Sequence, residues 1–187
     1  MYTVAMSPRR ILQVRITVAG VRPAVWRRVQ VPGGFTLDRV HRVVQHSVGW
    51  RDCRLHSFEI DGTQYGQPDP DGELGLRDEL DVRLDAVVGR GARVLYVYDF
   101  EDWWEHDLLV EDVCVADPAR RYPACLDGER AGPPEGVGGP SGYAALRAAL
   151  ADPAHPEHAV MSAWVGSGFD PDAFDPGRVS TLLRRFC

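Results

Sequence analysis

The sequence predicts an α+β protein with a β-grasp-like mixed sheet: a hairpin, a crossing helix, further strands and a C-terminal helical extension. Two observations lead to this prediction. Segments of alternating apolar and polar residues flank one segment whose apolar residues recur at helical spacing. The last part of the chain carries three short helical patterns instead. We assign residues 1–116 to the mixed-sheet core and residues 117–187 to an ordered Pro/Gly loop and helices packed on that core.

The N-terminal elements follow from simple periodicities. Ile11–Val18 alternates with period two and predicts a half-buried strand, and Val25–Val31 predicts its hairpin partner. Thr36 is expected to cap a helix that runs to about Val48. Gly49 suits the left-handed position that commonly follows a helix end.

The central elements alternate again. His56–Ile60 predicts a strand that closes at the turn pair Asp61-Gly62. Gln67–Gly75 is rich in Pro, Asp and Gly and predicts an exposed loop. Arg93–Phe100 has the strongest strand pattern, and Trp104–Val115 is predicted to pair back against it.

The C-terminal part begins with residues 118–140, where Pro and Gly are frequent and an ordered irregular loop is predicted. Ser141 is expected to cap a helix after that loop. His158–Val165 and Asp172–Phe186 predict two further helices.

Composition excludes some classes of partner. The formal net charge of −6 over 187 residues disfavours nonspecific binding to DNA or to anionic membranes. We find no apolar run long enough to span a membrane and no secretory pattern in Met1–Arg10. The four cysteines show no CxxC spacing, so free thiols and a cytoplasmic location are expected.

The segment Tyr98–Asp107 carries most of the chemical information. It holds two tryptophans, one histidine and five carboxylates in ten residues. Carboxylates are costly to bury beside aromatic rings unless they are paired, so the segment indicates either a ligand site or a rigid polar network. The corner Glu101–Trp103 is predicted to be a hairpin tip or a bulge. If the chain is extended there, Trp103 and Trp104 point to opposite faces and one of them is exposed.

Candidate site residues come from this segment and from the loops expected near it. The candidate catalytic residues are His56, His106, Cys125 and Glu135, and the candidate ligand-binding residues are Trp50, Asp99, Asp102, Trp104 and Arg130. His56 or His106 would act as general acid or base, and Cys125 as a nucleophile. Possible metal ligands follow no HExxH or HxH spacing, so we assign no metal site from the sequence.

Each candidate also has a structural interpretation. His56 fits a core-edge histidine that is hydrogen-bonded to a neighbour. Asp99 and Asp102 fit a tight turn in which they accept hydrogen bonds from the backbone, with Arg130 or another arginine neutralising them. Cys125 fits a buried packing thiol.

Several motifs occur in a specific order: Pro23–Arg28, Val48-Gly49-Trp50, Leu55–Phe58, Tyr98–His106, Tyr122–Arg130, Pro133-Pro134-Glu135 and Gly142-Tyr143. Together they resemble the open-reading-frame-three family first named from an Ri plasmid, the pRiA ORF-like proteins. The resemblance supports the fold and implies no catalytic residues. That family is similar to passenger proteins of transposable elements. This chain departs from it at Glu101 and Trp103, where the family usually has glycines, and at Arg54 and Gly136.

Three functions compete. The first is a soluble accessory protein that binds a small ligand or a partner peptide in an acidic, aromatic cleft. The second is an enzyme that uses histidine and carboxylate groups in the same cleft, metal-assisted or with a cysteine nucleophile. The third is a mobile-element-associated nucleic-acid factor, which the acidic charge disfavours. The sequence identifies no cofactor and no oligomeric state.

Overall fold

The computed structural model describes residues 9–68 and 75–187. Most of the predicted Gln67–Gly75 loop and the first eight residues lie outside this described part. Its strands are β1 (Arg10–Val18), β2 (Trp26–Pro32), β3 (His56–Ile60), β4 (Thr63–Gly66), β5 (Arg77–Asp78), β6 (Arg93–Tyr98), β7 (Trp104–Val115) and β8 (Ala124–Glu129). Its helices are α1 (Leu37–Val48), α2 (Leu84–Val87), α3 (Gly139–Ala151), α4 (His158–Val165) and α5 (Pro176–Phe186).

The eight strands form one sheet in the order β5-β4-β3-β6-β7-β1-β2-β8. Neighbouring strands are antiparallel except β4 and β5, which are parallel and make the sheet mixed. β1 and β2 form the predicted hairpin, and β7 returns along β6 as expected. The predicted α+β class, with a mixed sheet and helices at the C-terminus, is confirmed.

Helix α1 crosses one face of the sheet because its apolar residues form a single stripe. Val40, Val43 and Val44 are buried, and the helix ends at Gly49, whose φ of 100° few side chains tolerate. Thr36 occupies the N-cap position in extended conformation, but its hydroxyl donates to the Asp38 carboxylate and not to the helix backbone. The predicted helix bounds are therefore correct. The predicted capping hydrogen bond from the helix backbone to Thr36 is absent, and the Thr36 hydroxyl bonds to Asp38 instead.

The region 118–140 differs from the predicted irregular loop, because it contains strand β8. β8 pairs with β2, with Val29 opposite Cys125, and a register shift lies next to this pair. Helix α5 covers β8 and buries Val179 and Leu183. The strand escaped prediction because one buried residue, Cys125, is followed by exposed positions and a glycine, which hides the alternation. Leu80–Leu84, which fits no clear pattern, leads from β5 into α2.

One hydrophobic cluster joins both parts of the chain. It includes Phe58 and Leu108 from the sheet together with Tyr143, Leu146 and Leu183 from the C-terminal helices. The division at residue 116 remains a prediction. Within residues 9–68 and 75–187, no helix has the length and apolar character that crossing a membrane requires.

Candidate functional site

The corner between β6 and β7 is a tight turn built around Asp99. Asp99 has a φ of 58°, and its Oδ1 accepts a hydrogen bond from the backbone N–H of Glu101 at 3.1 Å. The backbone N–H of Trp103 donates to the carbonyl of Asp99 at 2.6 Å. Arg54 lies 3.8 Å from the Asp99 carboxylate. The arginine near this carboxylate is thus Arg54, at a position where the chain departs from the family pattern.

Asp102 ties this corner to the start of α3. Its Oδ2 accepts a hydrogen bond from the N–H of Gly138 at 3.1 Å. Gly139 has a φ of 69°, and a Cβ there would come within 2.7 Å of the Asp102 carbonyl. Both carboxylates therefore hold backbone groups, as in the structural interpretation of the sequence.

A cleft lies on the face of the sheet opposite α1, and we call it the outer cleft. It has a volume of about 280 Å³ and is lined by Ser57, Glu59, Gln64, Leu76, Leu95, Val97, Phe100, Trp103 and Glu105. The lining combines aromatic rings and aliphatic side chains with two carboxylates. Phe100, Trp103 and Glu105 come from the Tyr98–Asp107 segment, but none of the nine site residues predicted from the sequence is in this lining.

Trp103 forms an exposed wall of the outer cleft. Its side chain is 54% exposed, and its ring centroid lies 5.8 Å from that of Phe100. Its indole N–H donates to Glu105 Oε1 at 3.1 Å, which holds one carboxylate beside the ring. Trp104 is 1% exposed and belongs to the opposite face. The two tryptophans therefore point to opposite faces, but Trp103 has a φ of 53° and is not extended, so the turn and not strand alternation directs its side chain outward.

The face of the sheet under α1 is filled with aromatic side chains. Trp50 stacks on Tyr98 with centroids 4.8 Å apart and meets the edge of His106 at 5.2 Å. The Trp50 indole N–H donates to the carbonyl of Pro133 at 2.8 Å. Trp50 is 3% exposed. The expectation that Trp50 and Trp104 line an open cleft is therefore not met, because both indoles are packed in the core.

His106 is enclosed in the same core. Its Nδ1 lies 3.1 Å from the carbonyl of Trp104, and its Nε2 has no hydrogen-bond partner among the described residues. Burial lowers the pKa of His106 to about 4, so the imidazole is neutral at physiological pH. The sequence predicts His106 as a general acid or base. That role requires contact with a substrate, and the surrounding core side chains exclude a substrate from the imidazole.

Glu135 anchors the loop that covers this core. The Tyr98 hydroxyl donates to Glu135 Oε1 at 2.7 Å, and burial raises the pKa of Tyr98. The Cys53 thiol lies 3.4 Å from the same oxygen, and the Cys53 N–H donates to the Tyr98 hydroxyl at 3.1 Å. Glu135 therefore has a structural contact with Tyr98 that connects β6 to the Pro133–Glu135 loop.

His56 belongs to a polar group that we call the histidine cluster, which consists of His41, Asp52, His56 and Glu79. The two imidazoles stack with centroids 3.5 Å apart and planes 10° apart. His56 Nε2 lies 2.8 Å from Glu79 Oε2, and His41 Nε2 lies 2.6 Å from Asp52 Oδ1. Burial lowers the pKa of His41 to about 4, with the neighbouring His56 as a further cause.

Sequence reasoning found only His56 in this cluster. His41 lies among the buried valines of α1, and a histidine on that apolar stripe is the signal in the sequence that marks it. Asp52 and Glu79 gave no local signal, because the fold alone brings them to the histidines. The cluster borders a cavity of about 230 Å³, the acidic cavity, lined by Asp38, His41, Arg42, Asp52, Gln67, Pro68, Asp78, Glu79 and Leu80.

Comparison with known proteins identifies the family of this chain. A model of the family described as plasmid pRiA4b ORF-3-like protein matches residues 10–178. The chain belongs to this family. It is 39% identical over 159 residues to "Uncharacterized protein y4hQ" of Sinorhizobium fredii (strain NBRC 101917 / NGR234), covering 84% of this chain and 81% of that protein. A crystal structure of a protein of unknown function, MM3350 from Methanosarcina mazei Go1, superposes with a TM-score of 0.86. That pair is 31% identical and covers 93% of this chain and 99% of the other.

Membership in the plasmid pRiA4b ORF-3-like family confirms the resemblance that the motifs indicate. The family's relatives above carry no stated activity in their names, so function has to come from the side chains themselves. Six of the motif residues lie in the packed face under α1: Trp50, His56, Phe58, Tyr98, Trp104 and His106. Trp103, by contrast, is exposed.

Cys125 and Arg130 lie at the other end of the sheet. Cys125 is on β8, and strands β6, β7, β1 and β2 separate it from His56 on β3. Arg130 donates to the Ala24 carbonyl at 2.9 Å and to Glu129 at 2.7 Å. The strand order therefore separates Cys125, and Arg130 directly after β8, from the candidates on β3, β6 and β7.

Cys125 should react slowly with thiol reagents. Burial raises the pKa of its thiol to about 11, and the thiolate is the reactive form. At pH 8 we expect iodoacetamide to label the exposed Cys53 and Cys114 at least tenfold faster than Cys125, measured by mass spectrometry of peptides from the folded protein. A Cys125 that reacts as fast as Cys114 would restore it as a candidate nucleophile.

Proposed function

We propose that this protein is a binding module whose outer cleft takes an organic cation, an ammonium or guanidinium group. The group is either a free small molecule or a side chain of a partner peptide. The exposed indole of Trp103 beside the carboxylate of Glu105 is the observation that supports this proposal most.

The charge of the cleft supports a cationic ligand. Glu59 and Glu105 are the charged residues among those that line it, and the described lining includes no arginine. A cation over the face of an indole is attracted by the ring quadrupole, with about 0.5–1 kcal/mol at exposed sites and about 2 kcal/mol when it is desolvated. The two carboxylates add a further attraction that salt screens.

The size of the cleft supports a small group. A volume of about 280 Å³ lies just below the usual range for drug-sized ligands, roughly 300–1,000 Å³. It therefore suits one compact cation and its aliphatic stem, with Leu95 and Val97 available to the apolar part.

The corner also prepares Trp103 for binding. The hydrogen bonds of Asp99 and Asp102 fix the turn that carries the indole. A ring held in place before binding loses little conformational freedom on complex formation, which favours affinity. Asp99 and Asp102 thus keep a role in the site as residues that position the aromatic wall.

Binding of choline and of arginine amide should depend on Trp103. We expect Trp103→Ala to weaken both by about 1–2 kcal/mol, or roughly 5- to 30-fold in Kd. Isothermal titration calorimetry at low salt measures both Kd values. It needs no tryptophan fluorescence, which the Trp103→Ala change reduces. Glu59→Gln should weaken binding less and make it less sensitive to salt.

Trp164→Ala provides the matched control, because Trp164 is also an exposed tryptophan, 49% exposed on α4. It should leave Kd unchanged, and 3,3-dimethylbutanol, an uncharged analogue of choline, should bind weakly. Equal affinity for choline and this analogue would contradict the proposal. Tighter binding of an arginine-containing peptide than of arginine amide would identify a peptide partner.

The other candidate functions have less support. The acidic net charge of −6 disfavours a mobile-element-associated nucleic-acid factor. An enzyme would have to use the histidine cluster, since His106 is enclosed. The exposed thiols of Cys53 and Cys114 fit a reducing, cytoplasmic compartment, and we include that location in the proposal.

A further inference from the structure

We infer that the histidine cluster binds a single divalent transition-metal ion of the zinc class, with His41, Asp52 and His56 as its ligands. This site is separate from the outer cleft, because the two lie on opposite faces of β3 and β6. No metal site is assigned from the sequence, because its possible ligands follow no metal-binding spacing.

The donor atoms are already close together. One ligand atom each from His41, Asp52 and His56 lie within 4.8 Å of one another. A tetrahedral zinc ion at about 2.0–2.2 Å from its ligands holds them roughly 3.3–3.5 Å apart, so the ligand atoms must approach one another by at most about 1.5 Å. One imidazole must also turn out of the present stack, because the ion lies in the plane of each ring that binds it and the two ring planes are only 10° apart. Two imidazoles and a carboxylate are a common donor set for zinc and for other divalent transition metals.

Glu79 orients His56 for this role. A histidine that binds a metal usually donates its other ring N–H to a carboxylate or a carbonyl. The Glu79 carboxylate lies 2.8 Å from Nε2 of His56 and is 2% exposed. It can therefore accept the Nε2–H, which leaves Nδ1 of His56 as the metal-binding nitrogen. An imidazole held in this way by a buried carboxylate is a stronger ligand than an isolated one.

The protons around His41 can be assigned from the hydrogen bonds. The Gln45 amide oxygen accepts from the N–H of Asp52 at 3.0 Å, so the Gln45 amide NH₂ donates to the Tyr96 hydroxyl at 2.9 Å. The Tyr96 hydroxyl then donates to His41 Nδ1 at 2.8 Å, and His41 Nε2–H donates to Asp52.

A metal ion takes the place of the proton between His41 and Asp52. The imidazole proton moves to Nδ1 and donates to the Tyr96 oxygen, so His41 stays neutral. The Tyr96 oxygen then accepts hydrogen bonds from both Gln45 and His41. The hydroxyl proton of Tyr96 loses the hydrogen bond that it donated to His41 Nδ1. The lost hydrogen bond of the Tyr96 hydroxyl lowers the affinity. No proton leaves His41 in this step, because it moves from one ring nitrogen to the other.

The acidic cavity gives the ion an entrance and an open coordination position. Asp38 and Asp78 line it together with Asp52 and Glu79, which makes the local potential favourable for cations. Arg42 is the basic residue among the described lining, and it pairs with Asp38 at 3.0 Å. Three protein ligands and an adjoining cavity are the arrangement in which zinc keeps a water molecule.

Titration of the untagged full chain with Co²⁺, followed by competition with Zn²⁺, tests the inference. We expect visible absorption bands of cobalt in a nitrogen and oxygen environment, one ion per chain, and displacement by zinc. Asp52→Asn should raise the Kd for zinc at least tenfold, because it removes a ligand and leaves the shape of the side chain. Asparagine also tolerates the φ of 56° at this position.

Two variants serve as controls. Asp78→Asn removes a carboxylate from the same cavity but not from the cluster, and Cys53→Ser removes an exposed thiol next to Asp52. Cys53→Ser should keep the zinc affinity within about twofold, and Asp78→Asn should weaken it less than Asp52→Asn does, because Asp78 contributes to the local charge and is not a ligand. Loss of binding in Cys53→Ser would assign the metal to an adventitious thiol site and overturn the inference. Equal affinity in Asp52→Asn and the parent protein would overturn it as well.

A stability measurement guards against misfolding. Asp52 is 48% exposed, so Asp52→Asn should fold and melt near the parent protein in the presence of a chelator. Zinc should raise the Tm of the parent protein and not that of the variant. No Tm shift in the parent at millimolar zinc would contradict the inference. Binding of choline in Asp52→Asn should be unchanged, so the two sites can fail independently.

Discussion

Replacing Trp104 with alanine should lower the free energy of unfolding by about 3–5 kcal/mol, the usual cost of truncating a fully buried large aromatic side chain. The Trp104 side chain is 1% exposed, and its ring lies 5.7 Å from that of Trp50. Removing it leaves a cavity under α1 that the stacked rings of Trp50 and Tyr98 are too constrained to fill. Urea denaturation followed by circular dichroism measures the loss.

The neighbouring residue supplies the control. Trp103→Ala removes the same number of atoms one position earlier, where the side chain is 54% exposed. We expect a loss of about 1 kcal/mol or less from that change. If the two variants lose similar stability, the assignment of these indoles to opposite faces of the sheet is wrong.

Gly132→Ala should cost about 3 kcal/mol, or displace its loop, for a different physical reason. A Cβ at this position would lie 2.0 Å from the backbone carbonyl oxygen of Val48, far inside van der Waals contact. The conflicting atom belongs to the last residue of α1, so a side-chain rotation cannot relieve it. The loop would have to move, and with it the Pro133 carbonyl that accepts the Trp50 indole N–H.

Thermal and urea denaturation of Gly132→Ala should be compared with those of Gly168→Ala. Gly168 has no heavy atom within 4 Å of its Cβ position, so alanine there meets open space. A near-neutral effect at Gly168 and a large one at Gly132 is the expected result. Equal effects would mean that the α1 terminus and the Gly132 loop are not in close contact in solution.

The sequence predicted the elements whose period is regular. The alternation of β1, β6 and β7 and the apolar stripe of α1 reflect burial on one side only, and this pattern is local. Strand β8 was not predicted, because a buried cysteine followed by exposed residues shows no alternation of apolar and polar positions. Its position depends on pairing with β2 and on cover from α5, which are contacts between distant parts of the chain.

The site was predicted only in part for the same reason. His56 stands on an alternating strand and was a clear candidate, but its stacking partner His41 and its carboxylate Glu79 come from other elements. Aromatic residues were more ambiguous still, because an indole suits a core and a binding cleft equally well. Among Trp50, Trp103 and Trp104, the accessible one is Trp103, since the turn at Asp99 directs it away from α1.

The pairing of β6 with β7 limits where residues can be inserted in this hairpin. Tyr96 faces His106 and Tyr98 faces Trp104 across this pair, and the residues between them point to the other side. Adding one residue within β7, after Asp107, would shift the parity of the residues before it, so that Glu105 and Asp107 would point into the protein interior and Trp104 and His106 into solvent. The pairing of β7 with β1 keeps the rest of the strand in register. The hairpin is therefore a poor place for single-residue insertions within the strand, and its tolerance of substitution is confined to the face directed away from α1.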